Sequence, residues 1–346
     1  MIPARRLLSV LAALAALLLV LPSALAVGLP DALTTAEART GVVTARLDLG
    51  DAQRAVQRTE ADPTALRLDR LQARQALDAA ESAVRSARYE AYADVAGAYL
   101  QVLEARAGVA LAEEAAALSE RAVEIARIRL ERGAATELDL RDAETDLASA
   151  RTDLQSARQG ASLAARSFTS LTGLDADALE PVPAAWLELS VPGEEAWLDR
   201  LDANPTLLQA RQGVELARAA RDLLDPSYAP ARDIEAAELR VAQAEEGLTE
   251  ARRGIRLQLR SLLDRVASAQ DGLRVAREAL GNAEERDRID RSRLDAGLIA
   301  EIAYDQTRLA TLQARNAVQR AEHDLVRALF ALQADTGLPI EGLDAF

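Results

Sequence analysis

The sequence is written twice. Gly297 stands 164 residues after Gly133, and the same offset joins Arg129 to Arg293, Leu130 to Leu294 and Glu137 to Glu301. It runs on without a gap through Ala150/Ala314, Arg151/Arg315, Gln155/Gln319, Ala157/Ala321 and Ala164/Ala328, and closes on Thr172-Gly173-Leu174 against Thr336-Gly337-Leu338. Two Ala-rich helices agree by chance at many positions, but not with both glycines and a Thr-Gly-Leu in one register. A duplicated chain must fold as two copies of one unit, each covering an apolar face that it cannot bury alone.

What that unit can be follows from its breakers. They gather at Asp62-Pro63, Gly133, the stretch from Gly173 to Pro205, Asp225-Pro226 to Pro230, Gly297, and Gly337-Leu338-Pro339. Between them the chain is Ala, Leu, Arg, Glu and Gln, the strong helix formers. Period-two runs are absent, apart from a short strand expected near residues 186–191. The pattern predicts helices over 33–58, 64–132 and 137–171, then 205–224, 232–296 and 300–334. The fold class is all-α: long antiparallel helical hairpins in coiled-coil or α-barrel packing, in two tandem repeats. The middle helix of each trio spans about 100 Å at 1.5 Å per residue.

Val95, Val102, Val109, Ala116, Val123 and Leu130 recur every seventh residue, and the second half shows Leu259, Val266, Leu273, Leu280 and Leu294 at the duplicated positions. A second stripe on the first long helix, Leu111, Ala115, Leu118, Ala122 and Ile125, lies roughly 200° round the axis. A helix greasy on two opposed flanks needs a neighbour on each, which fits a palisade or cylinder better than a lone pair. The short and return helices together nearly match one long helix. Stacked end to end they would meet near its middle, with the loop between Gly173 and Asn204 at that equator, anchored by Trp186 and Trp197.

The chain's start reads differently. Arg5 and Arg6 precede an apolar run over 7–21, and Pro22-Ser23-Ala24-Leu25-Ala26 ends in small residues suited to signal peptidase. Such a run is too short to span about 30 Å of hydrocarbon comfortably. The expected organisation is a signal peptide at 1–26, a first repeat at 27–175, an equatorial linker at 176–204 and a second repeat at 205–346. With no cysteine after the cleavage site, a lipoprotein anchor is not expected, and no later segment reads as a transmembrane helix.

Composition narrows the chemistry. The formal charge is −14 and the basic residues are all arginine, a balance that argues against nucleic acid and against a polybasic lipid patch. There is no cysteine and a single histidine, His323. Thiolate chemistry, a Ser-His-Asp arrangement and a di-iron bundle with two Glu-x-x-His pairs all lack their parts. No catalytic, metal or cofactor residues are assigned, and an enzyme is not expected. His323 reads as a surface or interface residue.

Two hairpin tips carry a family resemblance. The run from Arg129 to Leu140, RLERGAATELDL, and that from Arg293 to Ile302, RLDAGLIAEI, resemble the periplasmic turns of the TolC family of outer-membrane efflux proteins. Leu171-Thr172-Gly173-Leu174 and Asp335-Thr336-Gly337-Leu338 are similar to its helix ends, and Asn204-Pro205-Thr206-Leu207 resembles the start of its second repeat. The resemblance covers nearly the whole chain after the signal. It implies a homo-oligomer, a trimer in the family, whose helices enclose a periplasmic tunnel engaged at its tips by an adaptor protein and an inner-membrane pump. It implies location in the periplasm or at the outer membrane. One family feature has no room: two β-strands per repeat, because 59–64 and 225–231 are shorter than the 9–11 residues or so that one membrane strand needs.

On this reading Gly133, Ala134, Ala135 and Thr136, with Gly297, Leu298, Ile299 and Ala300, form adaptor-docking tips. Asp287 takes the seam position of Val123, and with Asp290 and Asp295 could make an acidic lumen gate; the alternative is a solvated helix end. The rival function is a structural envelope protein, a solid four-helix-bundle spacer without a channel. A periplasmic adaptor is a weaker rival, since the chain has no room for lipoyl-like or β-barrel modules.

Overall fold

The computed structural model describes residues 27–343; the expected signal peptide lies outside the described residues. The elements are α1 (Leu29–Thr34), a 3-10 turn (Thr35–Ala38), α2 (Thr40–Ala61), α3 (Arg67–Glu131), α4 (Glu137–Thr172), α5 (Ala184–Leu187), α6 (Glu194–Leu198), a 3-10 turn (Leu201–Ala203), α7 (Pro205–Asp222), α8 (Ala231–Asp295) and α9 (Glu301–Thr336). Shifting α3 by 164 residues gives the bounds of α8, and the same shift carries α4 onto α9.

Local chemistry fixes the ends. At the start of α4, Thr136 Oγ1 accepts from the Asp139 amide at 3.2 Å while Asp139 Oδ2 accepts from the Thr136 amide at 2.7 Å, a reciprocal capping box. Asn204 caps α7 through its side-chain oxygen, with Pro205 in the first turn. The long helices stop at glycines: Gly133 has φ +68° and Gly297 φ +69°. Ala134 N donates to Arg129 O at 2.7 Å and Leu298 N to Arg293 O at 2.8 Å, closing both tips in the same way.

Two expectations are corrected. Residues 186–191 form no strand; Ala184–Leu187 is a helical turn after Pro183, and Trp186 is buried, with no neighbouring strand to supply a ladder. The expected 33–58 helix is broken at Arg39, whose φ −65° and ψ 141° are extended. The break lets Ala36 bury while Glu37 meets Tyr92, whose hydroxyl donates to it at 2.9 Å. Among the described residues the β content is one isolated bridge, Val27 to Leu179.

The helices stack as the length matching predicts. Asn204 Nδ2 donates to Thr336 O at 3.1 Å, so α7 begins where α9 ends, beside the middle of α8. Across the layer, α4 and α2 pack on α3, α3 packs on α9 and α7, and these pack on α8. The outer helices α4 and α8 make no comparable contact, so the layer is open rather than closed into a four-helix bundle. The core sits at the equator. Val95, Tyr99 and Leu100 of α3, Phe168 of α4, Leu259 and Val266 of α8, and Leu325, Leu329 and Phe330 of α9 are buried there. Trp186 meets Phe330 edge-on at 5.7 Å, and Tyr99 meets Phe168 at 5.8 Å.

Ion pairs repeat with the fold. Arg151–Glu120 at 2.9 Å in the first hairpin corresponds to Arg315–Glu284 at 3.1 Å in the second. Arg158–Glu113 corresponds to Arg277–Glu322 with the charges exchanged. Each exposed pair contributes at most about 1 kcal/mol, so what they mark is register.

Candidate functional site

Each tip is a short loop at the far end of a hairpin. Gly133, Ala134 and Thr136 are exposed, as are Gly297, Leu298 and Ala300, while Ala135 and its counterpart Ile299 are half-buried. Leu298 is 75% exposed, the larger apolar side chain at the position of Ala134. Asp139 is held below the ordinary carboxylate value by the Thr136 amide and hydroxyl, which fixes a negative charge on the first turn of α4 beside its tip.

The three acidic candidates separate. Asp290 is half-buried within the second hairpin: Thr307 Oγ1 donates to its Oδ2 at 2.8 Å and Arg293 pairs with it at 3.1 Å. Asp287 is half-buried one turn away, and Asp295 is exposed at the end of α8. The three do not share one face.

The flanks are more informative, and the sequence pattern did not single them out in the second half. On α3, the stripe of Leu111, Ala115, Leu118, Ala122 and Ile125 is half-buried against α9. The residues 164 further on include Val275 and Ile289 of α8, which are 54% and 42% exposed. The signal was available: the second stripe, shifted by the repeat offset, lands on a helix with nothing beyond it in the chain. Leu163 of α4, at the opposite margin of the layer, is 63% exposed.

One polar cluster lies in the α3–α9 seam. His323 is 2% exposed, its Nδ1 sits 2.9 Å from Glu104 Oε1, and Arg327 donates to the same oxygen at 2.6 Å. Burial pushes the Glu104 carboxyl up, but the hydrogen bonds from His323 and Arg327 outweigh it and hold it below the usual value. Nearby, Asn316 Nδ2 donates to Ala107 O at 3.1 Å. Among the described residues no group of acidic, histidine or cysteine side chains is placed to hold a metal ion, and no helix is long and apolar enough to cross a membrane.

With this geometry in view, residues 64–174 match the family model described as outer membrane efflux protein. The TolC-family resemblance is thereby shown. No curated protein matches the chain. The TolC-like frame is shared with solved structures of low sequence identity. A membrane protein from Pseudomonas aeruginosa is 17% identical at a TM-score of 0.63, covering 89% of this chain and 93% of its own. The outer membrane protein VceC from Vibrio cholerae is 17% identical at 0.61, over 90% and 97%. CusC, a protein described as forming a transmembrane channel, is 15% identical at 0.63, over 89% and 95%. Among the described residues no strands are inserted between these helices: short loops stand where α2 passes to α3 and α7 to α8.

Proposed function

We propose that the chain is an outer-membrane-factor component of an efflux or secretion system, which self-associates so that its long helices line a passive periplasmic conduit. One observation carries the reading. The seam between the two repeats, α3 on α9 and α7, is made once inside the chain, and its duplicate, α8 on α4 and α2, is left unmade. The exposed Val275 and Ile289 on one margin and Leu163 on the other are the faces that such a duplicate seam would cover. Joining unlike margins is head-to-tail association, which closes into a ring when the rotation permits. A trimer follows the family.

The division into repeats at 27–175 and 205–346, joined by 176–204, belongs to this reading. So do the tips, with Leu298 and Ile299 meeting an adaptor that couples the conduit to a pump. The acidic gate reduces to Asp287 and Asp295, since Asp290 is engaged inside its hairpin. The solid-spacer alternative is less well supported, because α4 and α8 do not close a bundle. Light scattering of the purified chain together with electron micrographs of end views tests the proposal. A homo-oligomer with a central hole is expected; a persistent monomer, or a filled rod, would overturn it. For the tips, Leu298→Asp with Ile299→Asp, both glycines kept, is expected to abolish cross-linking to the adaptor while the oligomer survives.

A further inference from the structure

Helices α3 and α7 are joined by a reciprocal pair of amides. Gln75 Nε2 donates to Gln212 O at 3.1 Å, and Gln212 Nε2 donates to Gln75 O at 3.1 Å. From this pair a cleft of about 430 Å³ runs toward the equator, walled by Ala76, Ala79 and Ala83 of α3 and by Pro205, Leu208 and Gln209 of α7. The alanines recur at helical spacing on one side of α3, so no long side chain of that wall crosses the gap.

The cleft opens away from the segments that cover the equator. The Tyr92 hydroxyl reaches Glu37 at 2.9 Å and the Tyr99 hydroxyl reaches Glu180 O at 2.7 Å, so one face of α3 carries those segments. At about 100° per residue, the three alanines lie roughly 140–180° round the axis from both tyrosines. A conduit with the equatorial segments inside it would be obstructed, so in the proposed conduit the cleft faces the lumen.

Its chemistry is uncharged. None of the side chains that line it carries a charge, in a chain that is 28% charged. Ser82 also lines it, is 3% exposed, and leaves its Oγ without a partner among the described residues. A helical hydroxyl has a ready acceptor in the carbonyl four residues back, which Thr172 and Thr336 use at 2.9 and 2.6 Å; Ser82 does not. Gln209 is exposed and makes no hydrogen bond among the described residues.

We propose that this cleft binds an uncharged polyhydroxylated molecule of the sugar class, through Ser82 and the amides of Gln75, Gln209 and Gln212. A sugar hydroxyl both donates and accepts, and the serine hydroxyl and the amides together offer both roles, so each can be matched without charge. An ion finds no counter-charge among the lining side chains, and a purely apolar molecule leaves Ser82 unpaired. The volume falls within the range of small-ligand sites, about 300–1,000 Å³. A cleft open along one side holds its ligand weakly, which suits a wall that solute must pass: binding has to favour entry without preventing exit. The role of such a molecule as cargo rests on the conduit reading; the binding itself does not.

Saturation-transfer NMR on the full chain tests this with glucose and sucrose as neutral probes, and glucuronate and glucosamine as charged counterparts. Transfer to both neutral sugars is expected at millimolar concentration, at least about fivefold weaker to the charged pair. Ser82→Ala should weaken it about fivefold, the loss of one hydrogen bond, and Ala79→Leu with Ala83→Leu should abolish it by filling the cleft. No transfer to either neutral sugar, equal transfer to the charged pair, or an undiminished signal in the filled variant would overturn the proposal. Circular dichroism confirms that the variants keep their helices. Light scattering separates the two readings: a ring that ignores sugars overturns this site and leaves the conduit, whereas a monomer that binds them overturns the conduit and leaves the site.

Discussion

Glu104 ties two side chains of α9 to α3, since one carboxylate oxygen serves both His323 and Arg327. The sequence placed His323 in the last helix but could not show a partner 219 residues upstream. Such pairings depend on which helices become neighbours. Because the folded carboxyl sits below its ordinary value of 4.5, its stabilisation is present above that pH and is lost as the pH falls through the lower folded value. Glu104→Gln is expected to cost about 1–3 kcal/mol at neutral pH, leaving the buried His323 and the half-buried Arg327 poorly matched. Thermal unfolding followed at several pH values checks this: the gap between parent and variant should shrink on acidification. Tyr99 offers a second test. Its hydroxyl shares one proton between Val27 O at 2.8 Å and Glu180 O at 2.7 Å, and burial is the main reason its pKa is raised to about 12. Tyr99→Phe should lower stability by about 1 kcal/mol with no change across the neutral range, because the hydroxyl stays protonated there.

At the scale of elements, glycines and heptads made most of the architecture legible. The expected 64–132 and 232–296 helices became Arg67–Glu131 and Ala231–Asp295 because Gly and Pro end helices by mechanisms that need no tertiary context. The break at Arg39 was not legible, since it answers to Tyr92 on another helix rather than to any local breaker. The strand at 186–191 failed for a related reason: alternation supports a strand only where a partner strand exists, and here the buried side of Trp186 faces Phe330. The tip glycines allow a clean measurement. A Cβ added at Gly133 or Gly297 meets nothing within 4 Å, so an alanine there carries only the penalty of a left-handed backbone. Gly133→Ala and Gly297→Ala should each cost about 1–2 kcal/mol, additively, in chemical denaturation. A larger loss in assembled material than in the monomer would show that the tips also order the oligomer.

For the whole molecule, the repeat offset turns an internal contact into a forecast of an external one. Arg121 of α3 pairs with Asp305 of α9 inside the chain. Moving the first residue forward by 164 and the second back by 164 gives Glu285 of α8 and Arg141 of α4, again opposite charges but exchanged. In the single chain these two lie on separate margins, where Arg141 pairs with Glu137 at 3.4 Å and Glu285 with Arg288 at 2.7 Å. Periodicity alone could announce two greasy flanks, but not that one would be covered from within and the other left for a copy; that needs the order of helices across the layer. If the duplicate seam joins copies, Arg141→Glu should place two carboxylates together at every junction and weaken self-association by about tenfold or more. Glu285→Arg should do the same by bringing two guanidinium groups together. Combined, the two changes restore an opposite-charge pair, so sedimentation equilibrium should show association recovering toward the parent. A double variant as weak as the sum of the singles would mean that the junction between copies is not built like the seam between repeats.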